Sequence, residues 1–252
     1  MGRAYAVELA RRGAVLALAD LDADGLARTV AQLPPASVGL SEVYDVSDRE
    51  ATYAFAERVL VELGGAHVII NNAGIEGGVK PVWATDERLY EKVMAVNFGG
   101  VRHGTRAFLP QILRRREGAV VNVSSIFGLV GTPNHSDYCA SKFAVRGFTE
   151  SLAAELTGSP VTVHLVHPGG VDTNITRLEA SQAFKHKYFG TQPHEIASVV
   201  ADGVLKGRRR IVYGQGAAKV RLGSRVLPMR VMAWAVWHDM VGILDRRDYP
   251  PR

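Results

Sequence analysis

Hydrophobic residues along the chain follow two repeating patterns. Short apolar runs, typical of strands that are buried on both faces, are each followed by a longer segment with helical spacing. The predicted strands are residues 14–19, 41–46, 67–70, 119–123, 161–166 and 211–213, and the predicted helices are residues 2–12, 22–32, 48–63, 86–115, 138–156 and 195–206. This alternation predicts an α/β fold with a doubly wound parallel sheet, whose two faces are covered by helices in three α/β/α layers.

The composition is that of an ordinary globular protein. The chain has 252 residues, of which 47% are hydrophobic and 22% are charged, and this length suits one α/β domain with a large core. A single cysteine excludes an internal disulfide, and we expect a cytoplasmic location. The longest apolar stretch, residues 226–244, contains Arg230, His238 and Asp239, so we expect no membrane span there.

Positive charge is concentrated at the end of the chain. The net charge is +5, and residues 206–252 contain 11 Lys or Arg against 3 Asp or Glu. No nucleic-acid motif accompanies this charge, and no pattern of metal ligands is present, so we expect neither partner. We interpret residues 214–252 as a basic amphipathic extension of the 1–213 domain. It packs on the domain or on a partner subunit, or it lies on an anionic membrane surface.

The candidate chemistry is centred on Tyr138 and Lys142. If residues 138–156 are helical, these side chains lie one turn apart on one face. A nearby cation favours the phenolate and lowers the pKa of a tyrosine, which suits proton transfer. The strand 119–123 ends at Ser124-Ser125, and open α/β sheets bind their ligands at the carboxyl ends of strands.

Four polar residues recur in an order that resembles the short-chain dehydrogenase/reductase family. They are Asn97, Ser125, Tyr138 and Lys142, at separations of 28, 13 and 4 residues. The Asn-Asn-Ala-Gly sequence at 71–74 and the Pro-Gly turn at 168–169 also resemble this family, and the resemblance extends from Gly2 to about Tyr213. Each residue also has a structural alternative: Ser125 as the cap of a turn, Asn97 as a repair of helix geometry, and Lys142 as surface charge.

The resemblance implies a Rossmann-like oxidoreductase that transfers hydride between a nicotinamide cofactor and a secondary alcohol or ketone. In such an enzyme, Tyr138 gives and takes the proton of the substrate oxygen. Lys142 lowers the pKa of Tyr138 and holds the nicotinamide ribose. Ser125 binds the substrate oxygen, and Asn97 holds a water molecule that connects Lys142 to solvent.

The same resemblance assigns a set of residues to the cofactor. Asp20 would bind the adenosine ribose and repel a 2′-phosphate, so NAD is favoured over NADP. The other expected contacts are Gly2, Asp45, Val46, Asn72, Ala73, Gly74, Tyr138, Lys142, Pro168, Gly169, Val171 and Thr173. Alternatives remain, because Asp20 and Asp45 could cap the helices that follow them, and the asparagines could tie the central sheet together.

One part of the family pattern is missing. The family begins with a strand and a Gly-rich loop that holds the cofactor pyrophosphate, and Gly2 matches only the last glycine of that loop. We therefore expect that the natural chain begins upstream, that the given chain has unpaired edges within its sheet, and that it binds dinucleotide weakly. The alternative function is a non-catalytic binding or scaffold protein with the same fold.

Two expectations concern the substrate and the assembly. Residues 174–194 are polar with scattered aromatics, and the family carries a mobile lid over the substrate at this position. Phe127, Leu129 and Val130 favour a bulky hydrophobic alcohol or ketone. The resemblance also implies a homodimer or homotetramer formed through the helices that bear Asn97 and Tyr138.

Overall fold

The computed structural model describes residues 1–176 and 178–250. Its helices are α1 (Gly2–Arg11), α2 (Ala23–Val30), α3 (Arg49–Leu63), α4 (Glu87–Met94), α5 (Gly100–Arg115), α6 (Ser136–Glu155), α7 (Gln182–Tyr188), α8 (Pro193–Leu205), α9 (Ala217–Val226) and α10 (Met229–Met240). Its strands are β1 (Leu16–Asp20), β2 (Val38–Val43), β3 (Val68–Asn71), β4 (Gly118–Val123), β5 (Val161–Pro168) and β6 (Arg210–Tyr213). The alternation of strands and helices expected from the sequence is confirmed.

Two predicted elements differ from the observed ones. The second strand is Val38–Val43 rather than residues 41–46, because it starts directly after the short turn Pro35–Ser37. The long helix predicted at 86–115 is divided into α4 and α5 by the π-helical turn Ala95–Gly99. This turn contains Asn97 and adds one residue to the helical repeat, which changes the direction of the side chains around it.

All strand pairs are parallel, but they form two separate sheets. The first sheet is β1-β2 and the second is β3-β4-β5-β6, with Leu18 opposite Ser41 in the first and Val123 opposite Val166 in the second. No strand of the described chain pairs with the second edge of β1 or of β3, where the sheet is interrupted. The expectation of unpaired edges within the sheet is therefore confirmed, and the doubly wound architecture is retained around the break.

Helices on both faces hold the two sheets together. On one face, α1 packs Ala6 and Ala10 against Leu16 of β1, while Tyr5 of the same helix packs against Val121 of β4. On the other face, residues of the first sheet share one core with residues of the second sheet. This shared core contains Leu40, Phe55, Val59, Phe108, Ile112 and Val120. Apolar burial thus replaces the missing backbone hydrogen bonds between the sheets.

A row of hydrogen-bonded polar side chains crosses the centre of the second sheet. Asn71 Nδ2 donates to Thr105 Oγ1 at 3.1 Å and to Asn122 Oδ1 at 2.8 Å. Asn122 Nδ2 donates in turn to Thr149 Oγ1 at 3.0 Å. Asn71 therefore ties β3 to β4 and α5, as one interpretation of the asparagine pair predicts, and it leaves Asn72 free for another role.

The extension after β6 folds into a helical hairpin. Helix α9 contacts β6, and α10 follows it after the short turn at Leu227-Pro228. Within residues 1–176 and 178–250, no helix is both long enough and apolar enough to span a bilayer. Residues Pro251 and Arg252 of the predicted extension lie outside the described residues.

Candidate active site

Helix α6 brings Tyr138 and Lys142 together at the carboxyl end of the second sheet. The Lys142 ammonium lies 5.5 Å from the centroid of the Tyr138 ring, and it donates a hydrogen bond of 3.3 Å to the carbonyl of Val123, at the end of β4. The prediction that the two side chains share one face of a helix is confirmed. Lys142 is buried, so the interpretation as surface charge is wrong.

Ser125 follows β4 and faces the same phenol. Its hydroxyl forms a hydrogen bond with the Tyr138 hydroxyl. It also accepts a hydrogen bond of 3.2 Å from Phe127 N, so it caps the short turn Ile126–Gly128 as well. The cap of the turn is therefore confirmed, while the binding of the substrate oxygen by Ser125 stays a prediction.

Burial determines the ionisation of this pair. It raises the pKa of Tyr138 well above its usual value, and the hydrogen bond from Ser125 lowers the pKa only in part. The expectation that Lys142 produces a lowered Tyr138 pKa is therefore wrong for the chain by itself. Burial also lowers the pKa of Lys142 to about 8. At neutral pH the site holds a neutral phenol beside an ammonium ion.

Asn97 connects three segments behind the Tyr138–Lys142 pair. Its Nδ2 donates to Ile75 O at 3.0 Å and to Ser141 Oγ at 3.1 Å, and its Oδ1 accepts from Ile75 N at 2.8 Å. A methyl group at Gly74 would lie 3.1 Å from Asn97 Oδ1 and 3.4 Å from Lys142 Nζ. The amide thus holds the turn at 71–74 beside Lys142, and its role in a water relay stays a prediction.

The turn after β3 has the features of a ligand contact. Asn72 Oδ1 is buried and has no hydrogen-bond partner in the part of the chain that the structure describes. A methyl group added at Gly2 would lie 3.3 Å from Asn72 Nδ2, so the first turn of α1 faces this asparagine. An unsatisfied buried oxygen, a helix N-terminus and the Lys142 ammonium together fit the nicotinamide and phosphate end of a dinucleotide. Ala73 lies beside them and is exposed.

Asp20 and Asp45 mark the ends of the two strands of the first sheet. Asp20 accepts a hydrogen bond of 3.0 Å from Asp22 N, while Asp22 itself caps α2. Asp45 accepts from Ser47 N at 2.8 Å, and Asp48 caps α3. Neither predicted cofactor residue is a helix cap, so the capping interpretation of both is wrong. Both carboxylates stand at the carboxyl edge of this sheet.

Val46 lies in the loop beyond Asp45 and contacts the second sheet's helices. Its carbonyl oxygen is 3.2 Å from His103 Nδ1, and its side chain lies where a methyl group at Gly100 would have to be. This contact connects the end of the first sheet to α5. It holds the predicted adenine contact in a fixed position.

The turn after β5 is shaped by close backbone contacts. Pro168 ends the strand, Gly169 N donates to Tyr213 O at 2.8 Å, and a methyl group at Gly169 would lie 2.2 Å from Gln215 O. Val171 is only 5% exposed and its side chain packs in the core, so only its backbone remains available to a ligand. Thr173 is half-buried beyond it.

Aromatic rings form a wall beside the Tyr138 hydroxyl. The Phe127 ring lies 5.9 Å from the Tyr138 ring, 5.4 Å from His135 and 5.7 Å from Phe184. Phe184 in turn lies 4.7 Å from Tyr188. Leu129 and Val130 are buried, and Phe127 contacts the Tyr138 ring.

The expected lid at 174–194 contains the short helix α7. Glu76 accepts hydrogen bonds from Leu178 N at 2.9 Å and from Ser181 Oγ at 2.6 Å, at the start of this helix. At its end, Tyr188 donates to Asp239 Oδ2 of α10 at 2.7 Å. The lid is thus held from both ends, by the loop after β3 and by the C-terminal hairpin. Arg177 of the expected lid lies outside the described residues.

Sequence reasoning missed two buried residues that position the site. Asp137 accepts hydrogen bonds from Gly78 N at 2.8 Å and from Tyr138 N at 2.7 Å. His167 lies 2.7 Å from the Ser125 carbonyl through Nδ1, and burial lowers its pKa to about 4. Asp137 could have been predicted from the sequence, because acidic residues are favoured at helix N-termini. His167 had no comparable signal.

No group of three or more potential metal ligands occurs among the residues that the structure describes. Tyr138, Ser125 and Lys142 place a phenol, an alcohol and an ammonium ion around one point. These groups can bind an oxygen atom and exchange a proton with it.

Comparison with known proteins gives a consistent result. A family model described as short chain dehydrogenase matches residues 1–183. SadH of Mycobacterium tuberculosis, which carries the name of an oxidoreductase, is 41% identical over 244 residues, which is 90% of this chain and 87% of that protein. EphD of Mycobacterium bovis, also named as an oxidoreductase, is 39% identical over 255 residues, which is 93% of this chain but only 43% of that protein.

The solved structures agree with the sequence comparisons. A short chain dehydrogenase/reductase from Burkholderia phymatum, determined in complex with NAD, superposes with a TM-score of 0.81 at 27% sequence identity. The match covers 100% of this chain and 94% of the Burkholderia chain.

Proposed function

The chain belongs to the short-chain dehydrogenase family, and we propose that it is an oxidoreductase that transfers hydride between a nicotinamide dinucleotide and a secondary alcohol or ketone. One observation carries the proposal. The Tyr138 hydroxyl is hydrogen-bonded to Ser125, and the ring of the same tyrosine lies 5.5 Å from the Lys142 ammonium. A nicotinamide dinucleotide supplies the hydride donor or acceptor when it is bound.

The proton chemistry belongs to the protein. In the reductive direction, the Tyr138 phenol donates its proton to the substrate oxygen, while Ser125 holds that oxygen by a hydrogen bond. In the oxidative direction, Tyr138 must first ionise, and the positive charge of Lys142 stabilises the phenolate. Burial keeps Tyr138 protonated at neutral pH, which is the form that proton donation to a ketone requires.

The proposed cofactor is NAD rather than NADP. Asp20 lies at the exposed end of β1, and it is free of helix capping because Asp22 performs that role. A carboxylate at this place would accept hydrogen bonds from a ribose and repel a phosphate. We expect Asp20→Ala to reduce the preference for NADH over NADPH by at least about tenfold, measured as the ratio of kcat/KM values. An unchanged ratio would remove Asp20 from the cofactor site.

The proposed substrate is bulky and hydrophobic. Phe127 and Phe184 place an aromatic wall next to the Tyr138 ring, and the lid that carries Phe184 is held over it by Glu76. Such a wall excludes water and favours apolar groups on both sides of a carbonyl. Acetophenone and long-chain methyl ketones are suitable first substrates, with loss of NADH absorbance as the readout.

The experiment that tests the function is Tyr138→Phe. This change removes one hydroxyl and leaves the ring contacts, so we expect turnover to fall by about 10²–10⁴-fold while NADH binding remains. Tyr53→Phe on α3 is the matched control, because it removes a hydroxyl far from the site, and it should keep normal turnover. If Tyr138→Phe retains the turnover of the unaltered enzyme, the proposed role of Tyr138 is wrong.

A non-catalytic binding or scaffold protein is the second candidate. Titration of NADH fluorescence distinguishes the two, since an enzyme must bind the dinucleotide whether or not a substrate is known. Absence of binding by a chain whose fold is verified would favour the scaffold.

We also propose that the protein forms a homodimer or homotetramer in the cytoplasm. Leu113 of α5 and Phe143 of α6 are exposed apolar residues, and they lie on the two helices expected to form the interface. Burial of such side chains between subunits is favourable. Sedimentation velocity tests the assembly, and Phe143→Asp should shift it toward the monomer.

A further inference from the structure

The C-terminal hairpin exposes an unusual apolar tip. Every residue from Arg225 to Val231, which we term the hairpin tip, is exposed to solvent. Within it, the side chain of Met229 is 85% exposed and that of Val226 is 64% exposed. Trp234, on the next turn of α10, is 63% exposed. Exposed apolar side chains are common singly, but such a cluster marks an interaction site.

The rest of the hairpin is packed on the domain, so the exposure is not a sign of a detached segment. Ala217 at its start and Met240 at its end are both buried. Met232 lies against Gly223 and closes the space between the two helices, and the Trp237 ring lies 5.6 Å from Tyr249. One side of the hairpin is therefore fixed to the protein, and the tip projects from it.

The Lys, Arg, Asp and Glu residues in the sequence around the tip have one sign of charge. Residues 203–238 contain eight Lys or Arg and no Asp or Glu. Four of these cations belong to the hairpin: Lys219, Arg221, Arg225 and Arg230. Arg225 and Arg230 directly flank the apolar sequence Val-Leu-Pro-Met at 226–229. This surface is complementary to a surface that is negatively charged outside and apolar beneath.

We propose that the hairpin tip docks on an anionic lipid surface. Its apolar side chains enter the boundary between head groups and acyl chains, and the arginines bind lipid phosphates. Trp234 is suited to the interfacial region because its ring is apolar and its N–H is polar. Contact between the tips of two copies of the chain is less favourable, because a symmetric contact would bring the arginines of both copies together and their like charges would repel.

Vesicle binding of the full chain tests this proposal. Co-sedimentation is measured with vesicles of phosphatidylcholine alone and with vesicles that contain phosphatidylglycerol. We expect binding to the anionic vesicles, weak binding to the neutral ones, and a loss of affinity as salt is raised. No binding to anionic vesicles at low salt would overturn the proposal.

Two variants separate the apolar and the electrostatic contributions. Leu227→Ser/Met229→Ser should weaken binding by at least about tenfold, because both side chains would no longer be transferred from water. Arg225→Gln/Arg230→Gln should weaken binding by about fivefold for each arginine. The control Val61→Ser/Leu205→Ser removes two exposed apolar side chains elsewhere and should bind as the unaltered protein does.

The same variants detect the alternative occupant. Sedimentation velocity without lipid is recorded for the unaltered chain and for Leu227→Ser/Met229→Ser. If the double variant lowers the mass of the assembly, and vesicle binding of both proteins is absent, the tip is an interface between copies and the lipid proposal is wrong. Equal vesicle binding by all variants would also refute it. Circular dichroism verifies that each variant is folded.

Discussion

Replacement of Lys142 by methionine should make the protein more stable at neutral pH while it destroys activity. Lys142 is buried, it forms no ion pair with a carboxylate in the described chain, and its one recorded hydrogen bond is to the Val123 carbonyl. A buried ammonium ion without a countercharge is costly to the folded state. Methionine has a similar length and no charge, so it removes this cost and retains most of the packing.

The magnitude follows from the pKa of Lys142. The lysine pKa falls from an ordinary value of 10.5 to about 8 in the folded protein. At 1.36 kcal/mol per pKa unit, this difference corresponds to about 3 kcal/mol of stability lost to the buried charge. The lost hydrogen bond to Val123 costs about 1 kcal/mol. Lys142→Met should therefore raise the free energy of unfolding by about 2 kcal/mol at pH 7.

The sign of this effect depends on pH. Below pH 8 both the folded and unfolded lysine are charged, and the whole cost is present. Between pH 8 and pH 10.5 the unfolded chain binds the proton and the folded chain does not, so the unaltered protein gains stability as pH rises. The advantage of Lys142→Met should disappear over this range. Above pH 10.5 the variant should be the less stable protein by about 1 kcal/mol.

Urea denaturation at a series of pH values from 6.5 to 10.5 measures this dependence. Lys92→Met, at an exposed position on α4, is the control, and it should show no comparable change with pH. The reasoning is refuted if Lys142→Met is destabilised at pH 7, or if its stability relative to the unaltered protein is independent of pH. Activity of the variant should be low at every pH, because no ammonium remains to support Tyr138.

Two further predictions concern groups that hold the site in place. Asn97→Ala removes the hydrogen bonds to both backbone groups of Ile75 inside the protein. We expect the free energy of unfolding, measured by urea denaturation, to fall by about 2–4 kcal/mol. A fall of less than about 1 kcal/mol would mean that this amide is dispensable. Asp239→Ala releases Tyr188, so α7 should be cleaved faster in limited proteolysis than in an Asp245→Ala control. Equal cleavage rates would show that Asp239 does not hold the lid.

The arrangement of the site could be predicted because parallel strands place their ends at one edge. Ser125 follows β4 and Tyr138 follows one loop later, and the resemblance of their spacing to the family pattern predicted that they share one site. The offset of the second strand had a local cause, since the chain turns at Pro35 and Val38 is the first residue that can pair. Such boundaries depend on hydrogen bonds that periodicity does not show.

What could not be predicted depends on burial and on contacts distant in sequence. A cation four residues from Tyr138 suggests a lowered pKa, but the sequence does not reveal that both groups are buried, and burial reverses the direction. The sequence also does not reveal that the side chain of Val171 fills the core beneath α1 and α8, which leaves its backbone for the predicted ligand contact. The hydrogen bond between Tyr188 and Asp239 joins residues 51 positions apart and leaves no pattern along the chain.

Because the sheet is interrupted between β1 and β3, a ligand bound across this break also affects how firmly the two sheets are held together. Asp20 ends β1 and Asp45 follows β2 in one sheet, while Asn72 and Lys142 lie on the other side of the break. A long ligand that contacts both groups of residues connects the two sheets to each other. In the free protein the two sheets are joined across this break by packed side chains, so a bound dinucleotide would add a second connection between them.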